Sequence, residues 1–216
     1  MTRDMTGPSM WDGRYDIDDY LFGTEPAAYL ARHGTGLPAG AATLVVADGE
    51  GRNSVFLAEQ GLAVTAVDVS PIGVAKAKAL AERRGVRVDF RVADLLEWTW
   101  EPDAFDVVVA VFIQFLDPDQ RRTVFDGMVR TLRPGGHLLV HGYRPEQLAY
   151  GTGGPPIAEY LYTEELLREL VGGLEIEVLH SHDSDIAEGT GHVGRSALID
   201  LVARRPPAPV DCGSGY

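Results

Sequence analysis

Between residues 42 and 173 strand-like runs alternate with helical ones, whereas between 174 and 203 two strand-like runs follow each other with no helix pattern between them. That order constrains the fold more than any other feature. "ATLVVA" (42–47), "AVTAVDVS" (63–70), "VRVDFRVAD" (86–94), "FDVVVAVFI" (105–113) and "HLLVHGY" (137–143) read as strands, the fourth as a central one because it is apolar on both faces. Helical periodicity marks 52–61, 71–85, 117–136 and 163–173. Ser70 with Pro71 opens the second of these and Gly85 stops it, while Pro134-Gly135-Gly136 ends the third. An earlier helix is expected over 25–33, with Thr24 as its cap and Pro26 in its first turn. The final runs, "LEIEVLHSH" (174–182) and "RSALIDLVA" (195–203), must then pair antiparallel. The expectation is an α/β fold, a doubly wound, mostly parallel seven-stranded sheet with a reversed C-terminal strand. Ligands of such sheets sit beyond the C-terminal ends of the strands.

Composition narrows the ligand. The formal net charge of −13 opposes a polyanionic partner, because nucleic-acid affinity rests on Lys and Arg neutralising phosphates. No apolar run approaches the roughly 20 residues of a membrane helix. The lone cysteine, Cys212, excludes an internal disulfide framework and fits a reducing, cytoplasmic setting. Residues 1–10 read as a disordered leader, 206–216 as a Pro- and Gly-rich disordered tail, and 11–205 as one domain. No His, Cys and Asp grouping has metal-ligand spacing along the chain, so no metal is expected. No feature specifies an oligomeric state.

The first strand runs into Asp48-Gly49-Glu50-Gly51-Arg52-Asn53-Ser54. A dinucleotide fingerprint needs a third glycine where Ser54 stands, and a pyrophosphate would face Glu50. A P-loop needs a Gly-Lys-Ser or Gly-Lys-Thr that is missing. What fits is a nucleoside carrying a positive charge and no phosphate, as S-adenosyl-L-methionine does. Asp68, at the end of the second strand, could accept both ribose hydroxyls, and Asp94, after the third, could meet the adenine amino group.

These stretches, with "WDGRYDIDDYLFGTEPAAYL" (11–30), "VADLLEW" (92–98), "FDVVVAVFIQFL" (105–116) and "LRPGGHLLVHGYRPEQLAYGTGGPP" (132–156), resemble the class I SAM-dependent methyltransferases. Within that family the small tellurite-resistance and thiopurine methyltransferase group is the most similar. The resemblance implies a Rossmann-like methyltransferase fold and SAM held by Asp48, Gly49, Gly51, Arg52, Asn53, Asp68, Val69, Ala93, Asp94, Leu95 and Phe112. Gly49 and Gly51 would admit the methionyl part, and the Phe112–Phe115 stretch would wall the reacting sulfur. Val45 and Ala47 depart from the acidic residue and first glycine usual there, which leaves the ligand's amino group to backbone carbonyls or Asp48.

Methyl transfer is an in-line displacement in which the protein supplies alignment and a dry pocket. A general base is needed only for an alcohol or amine; a thiolate, or an oxyanion of tellurium or selenium, needs none. Three segments could build the acceptor side. From 11–25 come Trp11, Arg14, Tyr20 and Phe22. The long connection 142–163 offers Tyr143, Arg144 and Tyr162, and the connection 183–196 offers His192 and Arg195, of which His192 could act as a base. Gln114 and Phe115 join the substrate set, and Tyr143, Arg144, His192 and Arg195 the catalytic one. The expected activity is methyl transfer to a small molecule. An NAD-linked oxidoreductase and a non-catalytic SAM-binding regulatory domain are the competing readings.

Overall fold

The computed structural model describes residues 7–208. Strands β1 (Ala42–Val46), β2 (Ala63–Asp68), β3 (Asp89–Val92), β4 (Phe105–Val111), β5 (Leu132–Tyr143), β6 (Glu175–Glu188) and β7 (His192–Arg204) form one sheet. Its order is β3-β2-β1-β4-β5-β7-β6. The pairs from β3 across to β5 are parallel, and β7 runs antiparallel to both β5 and β6. The order reverses between β1 and β4, the switch point where such sheets open a crevice.

Alternation along the central strands feeds two cores. Leu44, Val46, Val108 and Ala110 face α5 (Pro118–Thr131) and α7 (Glu164–Leu170), packing on Phe125, Met128 and Leu167. Val45, Val107 and Val109 face the opposite way, onto α2 (Ala28–His33) and α3 (Arg52–Glu59), through Tyr29, Leu30 and Leu57. Helix termini carry the expected punctuation. Asp117 and Gln120 close a capping box on α5. In α4 (Pro71–Arg84), Ser70 Oγ accepts from the Gly73 amide and Gly85 ends the helix at φ 70°.

Several elements differ from the sequence reading. Helix α1 (Pro8–Tyr15) begins inside the stretch expected to be leader; residues 1–6 of that stretch, and 209–216 of the expected tail, lie outside the described residues. Helix α2 starts at Ala28 and Thr24 does not cap it. Its first amide donates instead to Glu188, 160 residues away, at 3.0 Å, a tertiary cap that no local pattern announces. Helix α5 stops at Thr131, and Pro134-Gly135-Gly136 lies within β5, where Gly135 and Gly136 bond the backbone of Arg205. The expected loop 183–196 is mostly strand: β6 and β7 extend to a tight turn at 189–191. The connection 144–163 holds α6 (Gln147–Tyr150) and a short 3₁₀ turn at Ala158–Tyr160. No helix among the described residues is long and apolar enough to cross a membrane.

Candidate active site

A cavity of about 260 Å³ opens beyond the C-terminal ends of β1, β2 and β4. One wall comes from the strand ends: Ala47 and Asp48 after β1, Asp68 and Val69 at β2, Ala93, Asp94 and Leu95 after β3. Arg52 and Asn53, at the start of α3, line it too. Opposite stand Trp11, Arg14, Tyr15 and Phe22 from the N-terminal arm, Phe112 and Phe115 after β4, Tyr143, Gly153–Pro156, and Gly191 with His192.

The strand-end carboxylates are braced by backbone. Asp68 accepts from the Gly49 amide at 2.8 Å and the Ser70 amide at 2.9 Å. Burial pushes its carboxyl up to about 6 despite those bonds. Asp48 accepts from Ser54 Oγ at 2.5 Å and the Ser54 amide at 3.2 Å. Its burial, with Asp68 nearby, raises it to about 7. Asp94 accepts from the Leu96 amide at 2.9 Å. Each oxygen of Asp68 keeps a second lone pair, enough for two hydroxyl donors. Ala47 adopts φ 48° and Phe112 φ 57°. Left-handed backbone costs a non-glycine residue about 1–2 kcal/mol, which is why a glycine suits the Ala47 position.

The opposite wall is pinned by buried charge. Glu50, 3% exposed, does not line the cavity. It pairs with Lys76 of α4 at 2.5 Å and accepts from the Leu21 amide at 2.8 Å. Lys76 also donates to the carbonyls of Tyr15, Ile17 and Asp19, so one ion pair holds the arm against the sheet. Arg52 pairs with Glu188 of the hairpin at 2.8 Å and donates to the Phe22 carbonyl. His192 is packed between Phe22 and Phe112, ring centroids 4.4 and 4.3 Å away. Burial, followed by the charges of Arg52 and Arg14, depresses its imidazole to about 3. Arg14 lies over the Trp11 ring and makes no ion pair among the described residues.

Of the residues expected from sequence, the cavity brings together Trp11, Arg14, Phe22, Asp48, Arg52, Asn53, Asp68, Val69, Ala93, Asp94, Leu95, Phe112, Gln114, Phe115, Tyr143 and His192. Six others do not line it. Gly49 and Gly51 do not line it; a Cβ at Gly49 would meet Tyr15 Oη at 2.6 Å, and one at Gly51 would meet Ala77 Cβ at 2.7 Å. Both are glycine for close packing. Arg195 is half exposed and faces Asp183 and Asp185. Arg144 is held by Asp183 at 2.5 Å and by the Leu198 carbonyl. Tyr20 packs instead on Val55, Leu80 and Ala81 and donates to the Lys76 carbonyl at 3.0 Å. Tyr162 is buried against Phe125 in the core. Gln114 lines the cavity with its amide already spent on both backbone groups of Tyr143. Tyr15 and the Gly153–Pro156 loop line it as well, within the segments 11–25 and 142–163 that the sequence offers for the acceptor side, while Val111 and Leu116 line it with no role announced by the sequence.

Residues 44–136 match the family model described as a methyltransferase domain. The ubiquinone biosynthesis O-methyltransferase of Xylella fastidiosa is 34% identical over 102 residues, covering 47% of this chain and 41% of that protein. The chain spans about half the length, or less, of the curated relatives it matches. Among solved structures, the N-methyltransferase NodS from Bradyrhizobium japonicum in complex with S-adenosyl-L-homocysteine superposes with a TM-score of 0.70 at 19% identity, covering 94% of this chain and 99% of that one. TehB from Haemophilus influenzae gives 0.65 at 17%, covering 82% and 61%. The segment matched by the family model, less than half of the chain, is similar to methyltransferase domains, and the superpositions, with the reversed β7, show the Rossmann-like fold of such enzymes.

Proposed function

We propose that the chain, as one domain over residues 11–205, transfers a methyl group from S-adenosyl-L-methionine to a small soft nucleophile: a thiolate, or an oxyanion of tellurium or selenium. The observation that carries the acceptor class is His192. It is the one imidazole lining the cavity among the described residues, and its pKa of about 3 makes it a weak base. An alcohol or amine would have to lose its proton to such a group, whereas a thiolate arrives without one. Arg14 adds a cation at the same wall, suited to an anionic acceptor.

The donor set fits the cofactor. Asp68 would take the ribose hydroxyls, Ala93–Leu95 would flank the adenine, and Asp48 with the strained Ala47 turn would meet the amino-acid end. SAM supplies an electrophilic methyl group on a sulfonium. The chain's own part is alignment and exclusion of water by Trp11, Phe22, Phe112 and Phe115.

Calorimetric titration with SAM, S-adenosylhomocysteine and NADH tests the cofactor. Binding of the two adenosyl ligands alone is expected, and silence from both would overturn the reading. An acceptor panel of thiols, tellurite, selenite, catechols and amines, read by S-adenosylhomocysteine release, then tests the class. Turnover of amines or catechols in preference to thiols and oxyanions would refute the soft-nucleophile assignment.

A further inference from the structure

Four of the six histidines of the chain lie around one buried carboxylate, away from the cavity wall. The register explains how. Asp200 of β7 pairs with His141 of β5 on one side and His180 of β6 on the other. Residues two apart on a strand share a face, so His182 joins them. Helix α2 covers this face, adding His33 Nε2 at 3.8 Å and Arg32 at 3.3 Å from Asp200. Spacing along the chain could not reveal the cluster, because 18 or more residues separate Asp200 from either β6 histidine.

We propose that His180, His182 and Asp200 form a binding site for a divalent metal ion, with zinc(II) the ion that this donor set takes best. One ligand atom from each, all within 4.8 Å of one another, converges at the outer edge of the sheet. Zinc bonds of about 2.0–2.2 Å require these atoms to close by roughly 1 Å, a movement open to the exposed His180 ring. His182 Nε2 is buried and lies 3.3 Å from Asp200 Oδ1. Its other nitrogen sits 2.9 Å from Ser184 Oγ. His141 Nδ1, 2.7 Å from Asp200 Oδ1, orients the carboxylate. Ligating groups in metal sites have such outer partners. Zinc takes imidazole nitrogen and carboxylate oxygen together, whereas magnesium and calcium favour oxygen ligands, so the two imidazoles set the preference. Arg32 competes for the other carboxylate oxygen, and its side chain is half exposed. The ion would clip edge strand β6 to β7, the hairpin that carries His192 to the cavity and Glu188 to Arg52.

The test uses the full untagged chain, stripped with a chelator and then exchanged into metal-free buffer. Cobalt(II) serves as the optical probe, zinc(II) as the competitor, and thermal melting as a second readout. One ion per chain is expected, with visible cobalt absorption displaced by zinc and a zinc-dependent rise in melting temperature. His180→Ala and His182→Ala should each weaken binding by more than about tenfold and abolish the melting shift. His180 is exposed, so H180A should melt like the metal-free parent. Wild-type binding below one equivalent, or both variants titrating as the parent does, would overturn the site.

Discussion

The two walls of the cavity are held by different physics. The strand-end wall is local: Asp48 and Asp68 each sit within six residues of a group that braces them from the same loop, Ser54 and Ser70. The arm-and-hairpin wall is held from afar, by Glu50–Lys76 reaching residues 15–21 and by Arg52–Glu188 reaching the amide of Ala28. Short-range bracing makes the first wall a property of the strand ends. Long-range ion pairs make the second an assembly that one substitution can release.

Lys76→Met should strike the second wall hardest. It leaves Glu50 buried without its cation, a loss of about 3–5 kcal/mol, measurable by chemical denaturation. Hydrogen exchange should rise across residues 15–21, and adding Glu50→Gln should recover much of the stability. Unchanged stability in K76M would erase the contrast. Asp68→Ala attacks the first wall. Losing charged hydrogen bonds to two hydroxyls should cost about 2–3 kcal/mol of SAM binding, roughly 30- to 150-fold, by calorimetry. If that variant binds SAM as the parent does, the strand-end wall is not the ribose site.

His192 sharpens the comparison through pH. Its folded pKa of about 3 lies below the ordinary 6.5, so the unfolded chain takes up a proton first as pH falls. Its contribution to stability is therefore complete above pH 6.5 and lost as pH falls toward 3. At pH 5 the loss is about 2 kcal/mol. His192→Gln should lose less than the parent between pH 7.5 and 5, by that amount. The smallest effect belongs to Arg195→Ala, outside both walls, where stability should stay within about 0.5 kcal/mol and methyl transfer should not change.

The local wall was the legible one. Strand periodicity located β1, β2 and β4, and a carboxylate at a strand end needs no tertiary information to point into the crevice. Glu50 was legible as unusual and misleading as to its use: the sequence places it between glycines, while its partner Lys76 lies one helix further on. Arg195 and Tyr20 lie off the cavity wall for the same reason. Proximity in sequence to a chemically apt neighbour says nothing about which face of a strand or arm a side chain takes. The hairpin was read as a loop because polar residues on an edge strand mimic one, and the β5–β7–β6 row of His141, Asp200 and His180 exists only once the register is set.

The roof of the cavity has a consequence for how the molecule is made. The Leu21 carbonyl accepts from the amides of Thr190 and Gly191, both at 2.9 Å. Chains emerge from the ribosome N-terminal end first, so the arm is synthesised long before the hairpin it docks on. The parallel strands can begin to condense while the aromatic cover over them still lacks its seat. Until residue 192 has emerged, Phe22, whose ring packs on Gly191 and His192, remains apolar surface on a nascent chain, the kind of surface that chaperones bind.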